Sequence, residues 1–143
     1  MADSVIDATV VAFANGNIAA RKQGNAFDRR LEAIEQVVNG QRRLRYNSKL
    51  LREYQNLIQE HRNDVIDLFF IVLADRAVLV RGNTLSRQHY GRARTCRWPA
   101  HDQHLLAAAL GGDEPTIFVT EARLAQCAAQ ILARFTIRVV DLG

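Results

Sequence analysis

Three carboxylates stand where this chain could build a site for a hard cation. They are Asp7 in Ser4-Val5-Ile6-Asp7-Ala8-Thr9, Glu53 in Ser48-Lys49-Leu50-Leu51-Arg52-Glu53-Tyr54, and Asp102 in Pro99-Ala100-His101-Asp102-Gln103-His104-Leu105-Leu106. Each lies beside strongly apolar sequence, where a predicted element begins or ends. A carboxylate at the edge of a core is costly unless something pairs with it. Several converging on one point would offer the oxygen ligands that a hard cation takes. Each acid also has a plainer reading. Asp7 and Asp102 can cap the helices they precede. A glutamate on a helix is solvated by default, although Leu50, Tyr54 and Leu57 share the Glu53 face.

A second set of side chains, Cys96, His101 and His104, has the spacing Cys-x4-His-x2-His. Zinc sites use such residues, but no fourth ligand is evident. Histidines beside a phosphate site can instead bind substrate. The two cysteines, Cys96 and Cys127, make no disulfide framework, and Cys127 reads as a core filler in a small-residue helix. A reducing compartment fits them.

The elements that must position these residues are legible from periodicity. Val5 onward is a buried strand running into a short helix that ends at Asn15-Gly16-Asn17. Phe27, Leu31, Ile34, Val37 and Val38 recur at helical spacing up to Asn39-Gly40. Leu44-Arg45-Tyr46 reads as a short strand. Asn47 or Ser48 caps a helix through Glu60, with Leu50, Leu51, Tyr54, Leu57 and Ile58 inward. Asn63 or Asp64 caps the next, through Leu73; it is apolar nearly all round and so reads as central. Residues 76–101 read as basic and irregular, with a strand possible at Ala77 to Val80. Asp102 opens a helix from Gln103 to Leu110. A strand over Thr116 to Thr120, a helix over Ala122 to Ala133 and a strand over Phe135 to Val140 complete the chain. Strands alternating with helices give an α/β three-layer sandwich with a mostly parallel sheet. Ligand sites in such sheets lie at the carboxyl ends of the strands, where Asp7 and Thr120 fall.

At 143 residues the chain makes one domain spanning residues 1–143. The longest apolar run, Leu68 to Ala74, is too short to cross a membrane. No basic segment followed by an apolar one opens the chain, which points to the cytoplasm. The net charge is +4, and Lys22 and Lys49 are the only lysines, so the positive charge is almost all arginine. The guanidinium is a planar fork suited to phosphate. No acid falls between Asp75 and Asp102, whereas Arg76, Arg81, Arg87, Arg92, Arg94 and Arg97 do. With Tyr90 and Trp98, the segment from Arg81 to Arg97 fits an RNA-binding surface, charge for phosphates and rings for stacking; its plainer reading is a solvated loop.

Taken in order, four motifs resemble the PIN-domain ribonucleases, in particular the single-domain VapC-like kind. They are a strand ending Asp7-Ala8-Thr9, a glutamate in a Ser-led helix at Glu53-Tyr54, the helix opening Asp102-Gln103-His104-Leu105-Leu106-Ala107-Ala108-Ala109, and the strand ending Phe118-Val119-Thr120. The resemblance covers nearly the whole chain. It implies metal-dependent cleavage of RNA phosphodiesters, with Asp7, Glu53 and Asp102 as ligands of Mg2+ or Mn2+. Thr9 and Thr120 would orient the carboxylates or the water at the ion. The family often carries a fourth acid two residues after the strand-ending threonine; here that position is Ala122, with Glu121 beside it. The resemblance further implies a homodimer and, if the protein is a toxin, an antitoxin partner covering the basic site. The reading from a different class is a degenerate PIN-like module that binds RNA or a protein without cutting. A nucleotide-binding α/β domain is disfavoured, because no Gly-rich phosphate loop follows the first strand.

Overall fold

The computed structural model describes residues 1–17 and 25–143, and for residues 25–27 the backbone alone. The Phe27 side chain therefore lies outside the described residues. Five short strands form the central sheet: β1 (Asp3–Ile6), β2 (Arg43–Tyr46), β3 (Val78–Leu79), β4 (Thr116–Val119) and β5 (Arg138–Asp141). All pairs are parallel, in the order β3-β2-β1-β4-β5. A parallel neighbour can be reached only by a crossover, and the crossovers here are helical, which gives the expected α/β layering. The middle strand β1 is buried along its whole length, and Val5, Ile6, Ile117 and Val119 have no exposed surface. The register sets Ile6, the last residue of β1, opposite Phe118 of β4. Asp7 and Thr120 thus leave neighbouring strands at the same edge of the sheet.

Eight α-helices surround the sheet among the described residues: α1 (Ala8–Ala14), α2 (Asn25–Val38), α3 (Ser48–Leu57), α4 (Asp64–Asp75), α5 (Arg87–Arg94), α6 (Gln103–Ala109), α7 (Ala122–Ala125) and α8 (Ala128–Phe135). A 3-10 turn, Ala100–Asp102, leads into α6. The caps follow side-chain chemistry. Asn47 Oδ1 accepts from the Leu50 N–H at 3.2 Å, and Asn63 Oδ1 from the Ile66 N–H at 3.0 Å, so each satisfies a donor the helix leaves open. No helix among the described residues is long and apolar enough to cross a membrane.

Five sequence expectations need correction. Residues 87–94, expected to be irregular, form α5: Ser86 Oγ accepts from the His89 N–H at 3.2 Å and starts it. Its polar surface and the central Gly91 hide the helical period. The helix expected over Ala122 to Ala133 is two helices, and the turn between them seats Cys127 in the core, its thiol donating to the Cys96 carbonyl at 2.7 Å. α4 is not central: Ile66, Phe69, Val72 and Leu73 face the core, whereas Leu68 and Ile71 are 45% and 59% exposed. Leu57, expected inward on α3, is exposed. The last strand begins at Arg138 because Thr136, in the left-handed conformation (φ 56°), ends α8.

Candidate functional site

Asp7 is the single residue between β1 and α1. It occupies the cap position of α1, yet its carboxylate accepts no helix N–H. Asp102 occupies the equivalent position before α6 and also makes no cap bond. The plain capping reading therefore does not account for either side chain. Both acids are buried, at 7% and 8% exposure. Burial pushes the Asp7 carboxyl up to about 7, and the negative charges of Asp102 and Glu53 add to the push; the Thr9 hydroxyl and His104 oppose it. Burial also raises Asp102, with His101, His104 and Arg123 opposing and Glu121 adding to the rise. Asp7, Glu53 and Asp102 are thus brought into one electrostatic neighbourhood by β1, α3 and the start of α6.

The scaffold around them is tightly bonded. The Tyr54 hydroxyl, fully buried, donates to the Ile6 carbonyl and fastens α3 to the end of β1 one residue from both Glu53 and Asp7. The Thr9 hydroxyl lies 3.2 Å from Asp7 Oδ2 and 2.8 Å from the Thr120 hydroxyl. If Thr9 donates to the carboxylate, Thr120 must donate to Thr9, so the two strand-end hydroxyls form a short relay. His104, with no exposed surface, places Nε2 2.6 Å from Glu53 Oε1. Trp98 donates its indole N–H to the Asp102 carbonyl at 2.9 Å.

Beside Asp102 lies a more exposed polar chain. His101 Nε2 is 3.3 Å from Asp102 Oδ2, inside ion-pair range but without hydrogen-bond geometry, so Oδ2 is buried with no donor. Arg123 Nη2 reaches His101 Nε2 at 3.1 Å, and Arg123 Nε reaches Glu121 Oε2 at 3.0 Å. Glu121, the acid beside Ala122, thus adds negative charge near Asp102 but has its carboxylate engaged by Arg123. Ala122 is the exposed first residue of α7.

Among the described residues, no three His, Cys, Asp or Glu side chains stand in an arrangement that could hold a metal ion. Glu53 Oε1 is engaged by His104 Nε2 at 2.6 Å. The donor chemistry nevertheless fits a divalent cation. Asp102 and Glu53 raise the cost of charging Asp7, and a buried Asp102 oxygen lacks any donor.

Of the basic segment, Arg81, Arg87, Arg92, Arg94 and Arg97 are all exposed. The Arg94 guanidinium lies 5.9 Å from the half-buried Tyr90 ring, and Arg92 5.8 Å from the Phe135 ring. Trp98 is a correction. It is 3% exposed and holds Asp102 from beneath, so its ring is closed to base stacking. Sequence reasoning named His104 only as a zinc or substrate ligand and missed its bond to Glu53; Arg123 was missed altogether. Compared with protein-family models, with curated proteins and with solved structures, the chain matches none.

Proposed function

We propose that this protein is a divalent-metal-dependent ribonuclease of PIN-like type, cleaving RNA phosphodiester bonds. One observation carries the reading. Asp7, buried at the carboxyl edge of the sheet, is driven up to about 7 by burial and by its acidic neighbours, while Asp102 Oδ2 has no donor. A fold keeps uncompensated buried charge of this kind where a counter-charge is to arrive. The resemblance of the four motifs supplies the reaction class.

Asp7, Glu53 and Asp102 would hold the ion, with Glu121 withheld by Arg123. Bound Mg2+ or Mn2+ supplies Lewis-acid stabilisation of charge on the phosphate and a more acidic water. The chain's own groups do the rest. The Thr120–Thr9 relay keeps Asp7 oriented, and the Tyr54 bond to Ile6 fixes the distance of α3 from the strand end. His101 and Arg123 stand at the rim, where N–H donors can meet phosphate oxygens. The exposed arginines at 81, 87, 92, 94 and 97 offer charge along the approaching strand, with Tyr90 as the ring still half accessible.

The test is cleavage of a labelled RNA with Mn2+, with Mg2+ and with EDTA. Cleavage is expected only with metal, and Asp7→Asn is expected to lower it about 100-fold or more. An Asp7→Asn protein as active as the parent would sink the assignment. A second reading, a PIN-like module that binds RNA or a protein without cutting, draws on Ala122 and on the engagement of Glu121 by Arg123. It predicts intact RNA binding with no Mn2+ binding at millimolar concentration. A partner protein over the basic face and a homodimer accompany the ribonuclease reading as implications of the same resemblance, and the free Cys96 and Cys127 suit a reducing, cytoplasmic setting. The exposed Leu68 and Ile71 of α4 are apolar surface suited to such association.

A further inference from the structure

The His104 side chain is an expensive one to bury. It has no exposed surface, and its Nδ1 is buried with no hydrogen-bond partner. An unsatisfied buried polar atom keeps its desolvation cost with nothing to offset it. Its one bond, from Nε2 to Glu53 Oε1 at 2.6 Å, goes to a carboxylate whose side chain is 36% exposed and could be hydrated without it. As a stability device the pair is poor, because an aliphatic side chain would fill the same volume with no orphaned nitrogen. The pair does have one evident product: it removes the rotamer freedom of Glu53. The imidazole is itself held. Asn47 Nδ2 donates to the His104 carbonyl at 2.9 Å, while Asn47 Oδ1 caps the helix that carries Glu53. The frame joining α3 to α6 therefore fixes donor and acceptor together.

We infer that His104 is the positioning residue for Glu53: as the Nε2–H tautomer it donates to Oε1, orders the carboxylate and leaves Oε2 to face a divalent cation beside Asp7 and Asp102. The tautomer follows from the partner, since a carboxylate accepts and only an N–H can satisfy it. Groups that orient a ligating carboxylate typically change metal affinity by about 10–100-fold when removed. The inference rests on the cation reading above, and the experiment separates the two.

Mn2+ binding is measured by titration calorimetry on the full chain, for the parent, His104→Leu and His104→Gln, with thermal melts of each in EDTA. Leucine fits the buried volume and removes the orphaned nitrogen, so His104→Leu should melt no lower than the parent. It should nonetheless bind Mn2+ about 10-fold more weakly. Glutamine places an amide N–H near the Nε2 position and should restore affinity to within about 3-fold of the parent, inside the range of one neutral hydrogen bond. A His104→Leu protein that is folded and binds Mn2+ as the parent does overturns this inference alone. A parent that binds no Mn2+ at millimolar concentration overturns it together with the cation reading. A third readout needs no metal: the parent should show an exchange-protected imidazole Nε2–H in its NMR spectrum, lost in Glu53→Ala, and its absence also overturns the inference.

Discussion

Asp7 is the residue whose environment makes the sharpest claim. Its ordinary value is 3.8 and in the fold it is pushed up to about 7, first by burial and then by Asp102 and Glu53. The native state therefore holds a proton that the unfolded chain has released between those two values. Stability must fall as pH rises through that window and level off above 7, by roughly 4 kcal/mol at most. In EDTA, the parent should melt several degrees lower at pH 8 than at pH 5, and Asp7→Asn should abolish most of that difference by raising the pH 8 value. Thermal melts at the two pH values check this; an unchanged pH difference in Asp7→Asn would place the strain elsewhere. Mn2+ at pH 8 should then stabilise the parent more than the variant. At this scale the sequence was partly legible. Asp7, Thr9, Asp102 and Thr120 stand at strand and helix ends, where local pattern alone locates them. The bond from His104 to Glu53 was not legible, because it depends on α3 and α6 meeting, and nothing local to residues 101–106 encodes that meeting. Trp98 was misread for the same reason: an aromatic among arginines looks like a stacking platform until the chain turns it inward to hold the Asp102 carbonyl.

Among the elements, α5 departs furthest from expectation and carries the most testable surface. Its arginines project from a helix, not from a loop, so Arg87 and Arg94, seven residues apart, recur after nearly two full turns on one side. Helical spacing fixes the distance between charges that a loop would leave free. If both meet phosphates, each releases counterions, and affinity falls with salt in proportion to the contacts made. Arg87→Ala and Arg94→Ala should each weaken binding of a short RNA in EDTA about equally across sequences. Each should also flatten the slope of log affinity against log salt by about 1. Fluorescence anisotropy at several salt concentrations measures both. A variant with the parent slope would leave that arginine off the RNA path. The other helices were legible where capping and period agreed, as at Asn47 with α3 and Asn63 with α4. They were misjudged where composition alone spoke. α4 is apolar nearly all round and so read as central, but its place beyond α2 leaves Leu68 and Ile71 outside.

On the scale of the whole molecule, the sheet separates two kinds of buried acid. At the carboxyl edge Asp7 and Asp102 are poorly compensated. At the opposite edge Asp3, with no exposed surface, is fully answered. Arg43 Nε and Nη2 reach its two oxygens at 2.7 and 3.2 Å, the Asp113 N–H donates at 2.7 Å, and Arg45 stands 3.8 Å away. Burial raises Asp3, but the bonds from Arg43 and Asp113 and the two guanidinium charges outweigh it and hold the carboxyl below 3.8. Its stabilising effect is therefore complete above 3.8 and lost only as pH falls below that value, outside the window in which Asp7 acts. Asp3 ties the start of β1 to β2 and to the loop before β4, three segments distant in sequence. Its role is not legible in the sequence, because the Arg43 guanidinium and the Asp113 N–H that answer it are distant along the chain. Asp3→Ala leaves Arg45 little exposed and without its acid, and should cost about 2–4 kcal/mol, near the lower end for a broken buried pair because Arg43 can turn to water. Urea unfolding should show a lower midpoint with an unchanged slope, the signature of lost stability without a changed fold. Below the transition, Mn2+ affinity should match the parent, because the acids that would bind it sit at the other edge of the sheet. A loss of Mn2+ affinity in folded Asp3→Ala would mean that the two edges are coupled through β1 and that the carboxyl edge depends on this distant anchor.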